Sequence, residues 1–430
     1  MKRLDITADR LVSALLTSVD HRQVSILDSC GVGHLGSHLM IAGINPVETI
    51  RLGSEDPSGM LDQFQSALNR GFAAVFTISY DFGGKPTAIN SKPEKGSEPD
   101  VYLALYDSLI VHDYQKEETF LTGNIDSFDE ILLDVPRSVS EISKNIPPAK
   151  YRSNFTFNEY TDAIETIKEF IRRGDTYQVN LTIKLSVELD DETSPQRVFA
   201  CLRRDHPAPF AAFIDRGDSY VVSASPERFF SLYDGIISAS PIKGTRPQGI
   251  SEPEDKRLQV ELLQSEKDRA ENTMIVDLLR NDLGRVCEFG SVDVKKLCDL
   301  EVHPTLCHLV STIEGRVRSD ATFVDILRAL FPCGSITGAP KIRTMEIIDE
   351  LEPNARGLSM GAIGYFIPKF GFDGMKPGID VSVAIRTMVI REGVATFNVG
   401  GGITIDSDPQ EEYNESLLKA KALLAALGNK

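Results

Sequence analysis

Tryptophan is absent from the 430 residues, and the six cysteines contain no Cys-x-x-Cys pair. Cations are scarce too: 46 Lys and Arg stand against 63 Asp and Glu, for a formal net charge of −17. That balance excludes a nucleic-acid or anionic-membrane surface, which needs clustered Lys and Arg to displace counterions. A small anionic substrate is still allowed, because local cations or a divalent metal overrule the global charge. No apolar run is long enough to span a bilayer, and Met1-Lys-Arg-Leu-Asp5 does not open a secretory leader. Together with the scattered Cys30, Cys201, Cys287, Cys298, Cys307 and Cys333, this predicts reduced thiols in a cytoplasmic protein. Cys298 and Cys307, with His303 and His308, match no structural-zinc spacing.

What is present is a globular profile, 41% hydrophobic and 25% charged, enough for one large or two ordinary domains with a sizeable core. Residues 24–44 contain Gly31-Val-Gly-His-Leu-Gly36 after an apolar segment, which matches the letter of a dinucleotide-binding pattern. The continuation to Ile44 is short, contains glycine and stops at Asn45-Pro46, so a glycine-rich hairpin is the better reading. Ala73–Phe82 and Val101–Asp113 read as strands, with a solvated loop at 85–100 between them. Residues 138–150, with Pro147-Pro148, read as a linker. The boundaries are therefore a strand-rich region at 1–149 and a catalytic region at 150–430, packed as one continuous fold.

In the second region, Tyr160, Ile164, Ile167 and Ile171 lie at helical spacing over 157–173, and Gly174 supplies the stop. A strand follows, with Tyr177, Val179, Leu181, Ile183, Leu185, Val187 and Leu189 on one face. Gln178, Asn180 and Thr182 line the other, either a wet side of the sheet or a pocket floor with Gln178 at its mouth. Ser223–Thr245 reads as two extended segments joined by a hairpin at Asp234-Gly235. It carries Glu227 and Lys243, an acid and an amine, and by itself fits an exposed turn pair as well as a catalytic one.

A long helix is predicted over 258–280, with Asp268 and Glu271 on one face. The C-terminal helix opens at Asp408-Pro409; Glu411 suits the cap, which leaves Glu412 and Glu415 without a capping role. Two such carboxylate pairs suit a hard cation of the magnesium type, if they converge. Phe331–Lys341 reads as a loop entering a helix, an anion site without P-loop spacing. Asp380–Ile390 reads as one strand carrying Arg386. Gly400-Gly-Gly402 leaves room for a ligand to reach backbone amides, and an arginine fork beside it suits a carboxylate.

The motifs Tyr177-Gln-Val-Asn-Leu-Thr, Ser225-Pro-Glu-Arg-Phe, Pro241-Ile-Lys-Gly-Thr-Arg-Pro, Asp268-Arg-Ala-Glu-Asn272, Asp277-Leu-Leu-Arg-Asn-Asp-Leu-Gly-Arg285, Gly334-Ser-Ile-Thr-Gly-Ala-Pro-Lys341 and Gly400-Gly-Gly-Ile occur in this order. Together they resemble the chorismate-utilising enzymes, densely from about Ser153 to Lys421. The resemblance implies an α/β (α+β) sandwich of large, mostly antiparallel sheets with outer helices. It also implies chorismate as substrate and Mg²⁺ as cofactor, held by Asp268, Glu271, Glu412 and Glu415. Gly244, Thr245, Thr337, Tyr365, Arg386, Gly401, Gly402 and Lys419 would contact the substrate, with Gln178 and His308 nearby, and Glu227 would be the general acid that protonates the departing 4-hydroxyl.

Two positions sort the members of this family. Isochorismate and salicylate synthases carry a lysine base where this chain has Gln178, which disfavours water as the ring nucleophile. Anthranilate synthases read Pro-Ile-Ala-Gly-Thr where this chain has Lys243, the pattern of the aminodeoxychorismate branch on the route to p-aminobenzoate and folate. There the lysine amine attacks C2 and is displaced when ammonia adds at C4. An ordinary lysine amine, with pKa near 10.4, is only about 0.1% neutral near pH 7.4, so that chemistry demands a strongly perturbing pocket.

The chain shows no glutaminase nucleophile motif, so ammonia is expected from a separate glutamine amidotransferase subunit. No lyase domain is read up to Lys430, so a separate enzyme is expected to release p-aminobenzoate. His206 and Cys333 depart from the family pattern at packing positions. Ile26-Leu-Asp-Ser29 is similar to a tryptophan-binding segment of anthranilate synthases, which makes Ser29 the marker of a tryptophan-type pocket. The alternatives are an anthranilate synthase component and, more remotely, a non-catalytic tryptophan-binding subunit.

Overall fold

Ala73–Ile78 and Val101–Tyr106 read as unbroken apolar runs because each strand is buried on both faces. Ala74, Phe76, Ile78, Leu103 and Leu105 point to one core, while Ala73, Val75, Tyr102, Ala104 and Tyr106 point to another. This period-2 split defines a layered sandwich. In a computed structural model of the chain, the described residues are 1–428 except 35, 54–55, 88, 90–97, 128–149, 191, 248, 250 and 303–305. Within this set a 12-stranded and a 10-stranded sheet pack face to face through a central core that includes Ile41, Ile214 and Val221 from one and Val75, Tyr106 and Ile363 from the other. The paired strands are antiparallel.

Helices cover the outer faces. Leu11 and Leu15 of Ala8–Ser18, Ile164 and Ile167 of Phe157–Arg172, and Leu423 of Pro409–Ala426 share one core with Val24, Ile26, Val179, Leu181 and Ile183 of the larger sheet. Phe64 of Pro57–Leu68, Leu279 of Glu266–Gly284 and Ile326 of Phe323–Leu330 cover the smaller sheet. Each such side chain contributes about 1.5–3 kcal/mol on burial. This is the sandwich expected from the resemblance. No helix among the described residues is long and apolar enough to cross a membrane.

The Gly31–Gly36 stretch does join a hairpin: Val24–Asp28 pairs antiparallel with Leu39–Ile44. Strands from both 1–149 and 150–430 enter each sheet. All but the last residue of the linker read at 138–150, and most of the loop at 85–100, lie outside the described residues.

Four readings need correction. Ser223–Thr245 is not two extended segments but runs through four strands, Tyr220–Ser225, Arg228–Tyr233, Ile236–Ala239 and Ile242–Pro247, and the Asp234-Gly235 turn joins only the middle two. Tyr177 precedes the Gln178–Glu188 strand and is 69% exposed, because its turn leads out of the sheet. The long helix is two, Glu252–Gln264 and Glu266–Gly284, broken at Ser265, whose hydroxyl caps the second by accepting from the Asp268 amide at 3.2 Å. Asp380–Ile390 is also two elements, Gly378–Val383 in the smaller sheet and Thr387–Arg391 in the larger.

Candidate active site

That last break recurs. Tyr220–Ser225 belongs to the larger sheet and Arg228–Tyr233 to the smaller, so the chain crosses between the sheets at Pro226-Glu227 as well as at Ala384–Arg386. The crossings lie side by side. The Ser225 hydroxyl donates to the Val383 carbonyl at 2.6 Å, and the Ala224 amide donates to the Arg386 carbonyl at 3.0 Å. Arg228 grips Asp380 through Nε and Nη2 at 2.9 and 2.8 Å.

Glu227 therefore projects from a crossing into the interior. Burial pushes its carboxyl above the ordinary value, opposed by the Ser335 hydroxyl, the Lys243 charge, the Ile242 amide and His34. Its Oε1 accepts no hydrogen bond from the described residues. A buried acid whose surroundings favour the neutral form, with one oxygen open, has the character of a proton donor. On the second crossing, Arg386 has a positive φ of 47°. Burial alone perturbs its guanidinium, downwards, and no described carboxylate pairs with it. A buried cation without a protein counter-ion is a site for an anion.

Lys243 lies on Ile242–Pro247, which pairs with Leu306–Arg316. Lys243 faces Leu309 and Thr245 faces His308, with a bulge at Gly244 between them. Gly244 has φ +72°, and a Cβ there would sit 2.8 Å from Leu262 and 2.9 Å from Asp268. Only glycine fits that approach. The Thr245 hydroxyl lies 2.9 Å from His308 Nδ1. The Lys243 charge acts on Glu227 and on one carboxylate of each pair, Glu271 and Glu415.

Those pairs do sense each other. Burial raises Glu271, Lys243 and Lys267 oppose the rise, and Asp268 and Glu415 add to it. Burial also raises Glu412, against the Ser407 hydroxyl at 2.7 Å and with the aid of Glu415. For Glu415, burial is outweighed by Lys419 at 2.9 Å, Lys267 and Lys243, which leave it below the ordinary value. Asp268 meets Arg246 at 3.2 Å. Among the described residues no group of three His, Cys, Asp or Glu side chains is placed to hold a metal ion. The four carboxylates are of the all-oxygen kind that a hard divalent cation takes, and the fit lies in their chemistry and mutual repulsion alone.

The floor is the Gln178–Glu188 strand paired with Val394–Ile403, with Asn180 opposite Gly402 and Leu181 opposite Gly401. The Asp408 cap accepts from the Glu411 amide at 3.0 Å and orients the final helix. Lys419 on that helix donates to the Gly400 carbonyl at 2.8 Å. A Cβ on Gly401 would lie 2.9 Å from Glu412 Oε2, and one on Gly402 only 1.8 Å from Gln178 Nε2.

Phe331–Lys341 does enter a helix, but Lys341 is engaged with Asp282 at 2.6 Å, and the Thr337 hydroxyl with the Cys333 carbonyl at 3.0 Å. Ser335 in that loop acts on Glu227, and the motif read from the sequence contained it without assigning it a part. Sequence reasoning also missed Arg356. It pairs with Glu352 at 2.6 and 2.9 Å, donates to the Ile336 carbonyl at 2.9 Å and the Asn180 carbonyl at 2.6 Å, and lies 4.4 Å over the Tyr80 ring.

The structure thus gathers Lys243, Glu227 and the residues around the two carboxylate pairs. It sets Ser29 and Tyr365 elsewhere, in a cavity of about 390 Å³ between the sheets lined also by Phe210, Arg228, Tyr233 and Asp380. Tyr365 and Tyr233 share a hydrogen bond of 2.8 Å there.

A family model described as chorismate binding enzyme matches residues 24–425. Aminodeoxychorismate synthase component 1 of Klebsiella aerogenes is 35% identical over 95% of this chain and 91% of its own length. Anthranilate synthase component 1 of Pseudomonas aeruginosa is 33% identical over 91% of this chain and 84% of its own. The crystal structure of anthranilate synthase component I from Streptococcus pneumoniae superposes with a TM-score of 0.79 at 30% identity, covering 91% of this chain and 93% of that one. With motif order, sandwich and relatives in agreement, the chain belongs to the family of chorismate binding enzymes.

Proposed function

We propose that the chain aminates chorismate, combining it with ammonia to give 4-amino-4-deoxychorismate for p-aminobenzoate and folate synthesis. The observation that carries this reading is Lys243, beside the Gly244 bulge that packs on Asp268, with its charge acting on Glu227, Glu271 and Glu415. Relatives of both the aminodeoxychorismate and the anthranilate type accompany it, and the lysine is what favours the former.

In this mechanism Arg386 binds a substrate carboxylate, with Lys419, Thr245 and the bare backbone at Gly401-Gly402 around the ring. The neutral Lys243 amine attacks C2 while Glu227 gives its proton to the 4-hydroxyl, which leaves as water as the ring double bond shifts. Ammonia then adds at C4, the electrons shift back and expel Lys243 as the neutral amine, and the ammonium formed at C4 returns one proton to the Glu227 carboxylate. Gln178 takes no proton and so does not activate water. Asp268, Glu271, Glu412 and Glu415 would hold Mg²⁺, whose charge offsets the substrate's negative charge.

A glutamine amidotransferase subunit is the proposed ammonia source, and the cytoplasm, where all six free cysteines stay reduced, the proposed location. For the tryptophan-type pocket expected at Ser29, the support is the cavity that Ser29 lines.

The test is incubation of the purified chain with chorismate, Mg²⁺ and ammonium salt, with and without an aminodeoxychorismate lyase. Product released as p-aminobenzoate only with the lyase is the expected result. Fluorescent anthranilate without the lyase overturns it in favour of the anthranilate reading. No turnover even with an amidotransferase partner favours a non-catalytic subunit.

A further inference from the structure

Two sequence motifs that supply no reacting group, at 277–285 and 334–341, meet in one ion pair. Lys341 Nζ lies 2.6 Å from Asp282 Oδ2 and donates to the Leu330 carbonyl at 2.7 Å. The two side chains are only 13% and 5% exposed. Lys341 is also the first residue of the helix Lys341–Leu351, whose first turn holds no acidic residue. A cation there opposes the helix dipole, so helix formation does not account for it. Nor does stability, since a buried ion pair can be exchanged for apolar side chains at little or no cost.

The pair joins two supports of the site. Asp282 lies near the end of Glu266–Gly284, the helix that carries Asp268 and Glu271 at its start, where Asp268 lies against Gly244. Lys341 closes the loop that holds the floor strand. In that loop the Thr337 carbonyl accepts from the Asn180 amide and the Ala339 carbonyl from the Tyr177 amide, both at 2.8 Å. The loop has no slack on either side: a Cβ on Gly334 would lie 2.5 Å from Leu278 of the helix, and one on Gly338 only 2.0 Å from the Gln178 carbonyl.

We propose that Lys341 and Asp282 are positioning residues, whose pair fixes the helix of the first carboxylate pair against the Gln178 end of the floor. Because a helix is stiff, holding its far end sets where Asp268 and Glu271 stand. Charge-assisted hydrogen bonds suit this task better than apolar contact, since they fix direction as well as distance. The inference rests on the proposed reaction taking place between these two supports.

The experiment compares the full wild-type chain with the double variant Lys341→Met, Asp282→Leu by amide hydrogen exchange, thermal unfolding and the rate of chorismate consumption with Mg²⁺ and ammonium. Apolar side chains keep the burial, so Tm should stay near the wild-type value. The Tyr177 and Asn180 amides are expected to exchange roughly tenfold or more faster, with amides further along Gln178–Glu188 unchanged. At saturating chorismate, kcat should fall roughly tenfold or more. A pair that only added stability would shift exchange along the whole strand or nowhere, and would leave kcat alone below the unfolding temperature. Unchanged exchange at Tyr177 and Asn180 in the folded double variant overturns the proposal, and so does faster exchange there with an unaltered kcat. If the double variant does not fold, Lys341→Met alone decides through the ratio of exchange at these two amides to that of the rest of the strand: a raised ratio supports the proposal and an unchanged one overturns it. Exchange needs no turnover, so a wild-type chain that fails to aminate chorismate counts against the proposed function and leaves the exchange result standing.

Discussion

The backbone amide of Val383 donates to the carbonyl of Glu227 at 3.0 Å. This bond joins the two sheet crossings, one carrying the acid and the other leading to Arg386, so proton donor and anion site share one rigid seam. The Arg228–Asp380 pair closes the seam from the cavity side. Asp380→Asn leaves a buried arginine short of its counter-charge and is expected to cost about 3 kcal/mol. Urea denaturation measures that loss, and a change within error would show that the seam does not depend on the pair.

Glu227 gives a stability signature against pH. Burial raises its folded-state pKa above the ordinary 4.5, so its contribution is fully present below 4.5 and is lost as pH rises through the raised value. Glu227→Gln has no such loss and should gain stability relative to the wild type across that window. The same variant should lose roughly 100-fold or more in turnover. Denaturation midpoints across pH give the first, and steady-state assays the second.

Magnesium should stabilise the chain without substrate. At a hundredfold excess over Kd, binding to the folded state alone contributes about 2.7 kcal/mol. Burial raises both Glu271 and Glu412, so the gain should fade as pH falls and these groups take up protons. Thermal unfolding with and without Mg²⁺ reads this, and an unchanged Tm in the wild type speaks against a metal at these carboxylates.

Lys243→Ala is expected to reduce amination roughly 1,000-fold or more while magnesium-dependent chorismate binding persists. Calorimetric titration with chorismate separates the two effects. Full activity in the variant removes the amine from the mechanism.

The glycine triplet predicts a contrast. A Cβ on Gly400 meets the Leu181 carbonyl at 2.0 Å, rigid backbone, so Gly400→Ala should cost about 3 kcal/mol. A Cβ on Gly402 meets only the end of the Gln178 side chain, at 1.8 Å, which can swing away. Gly402→Ala should therefore cost under about 1 kcal/mol while displacing Gln178 and lowering activity. Equal losses of stability would contradict this assignment.

Much of the site's chemistry was legible because it is written in local spacing. Asp268 and Glu271, or Glu412 and Glu415, share a helix face by periodicity, and the Gly31–Gly36 hairpin followed from the stop at Asn45-Pro46. The crossings were not legible. Alternation across Ala384–Arg386 continues although the partners change sheet, and pairing with another sheet is a tertiary fact. The break at Ser265 did have a signal, since Ser265-Glu-Lys-Asp268 has the form of a capping box inside the apparent helix. The Lys341–Asp282 tie had none, because its partners stand 59 positions apart.

Arg356 adds a consequence about time. Its partners are Tyr80 in the turn after Ala73–Ile78, Asn180 in the larger sheet, Ile336 in the loop that carries Ser335, and Glu352 at the end of the helix Lys341–Leu351. No early segment of the growing polypeptide can satisfy this guanidinium, and it becomes available only after three-quarters or more of the chain has been made. The floor of the site thus receives its final shape near the end of synthesis, so a truncated or stalled product would contain Lys243 and Glu227 without the fastening that fixes the surface beneath them.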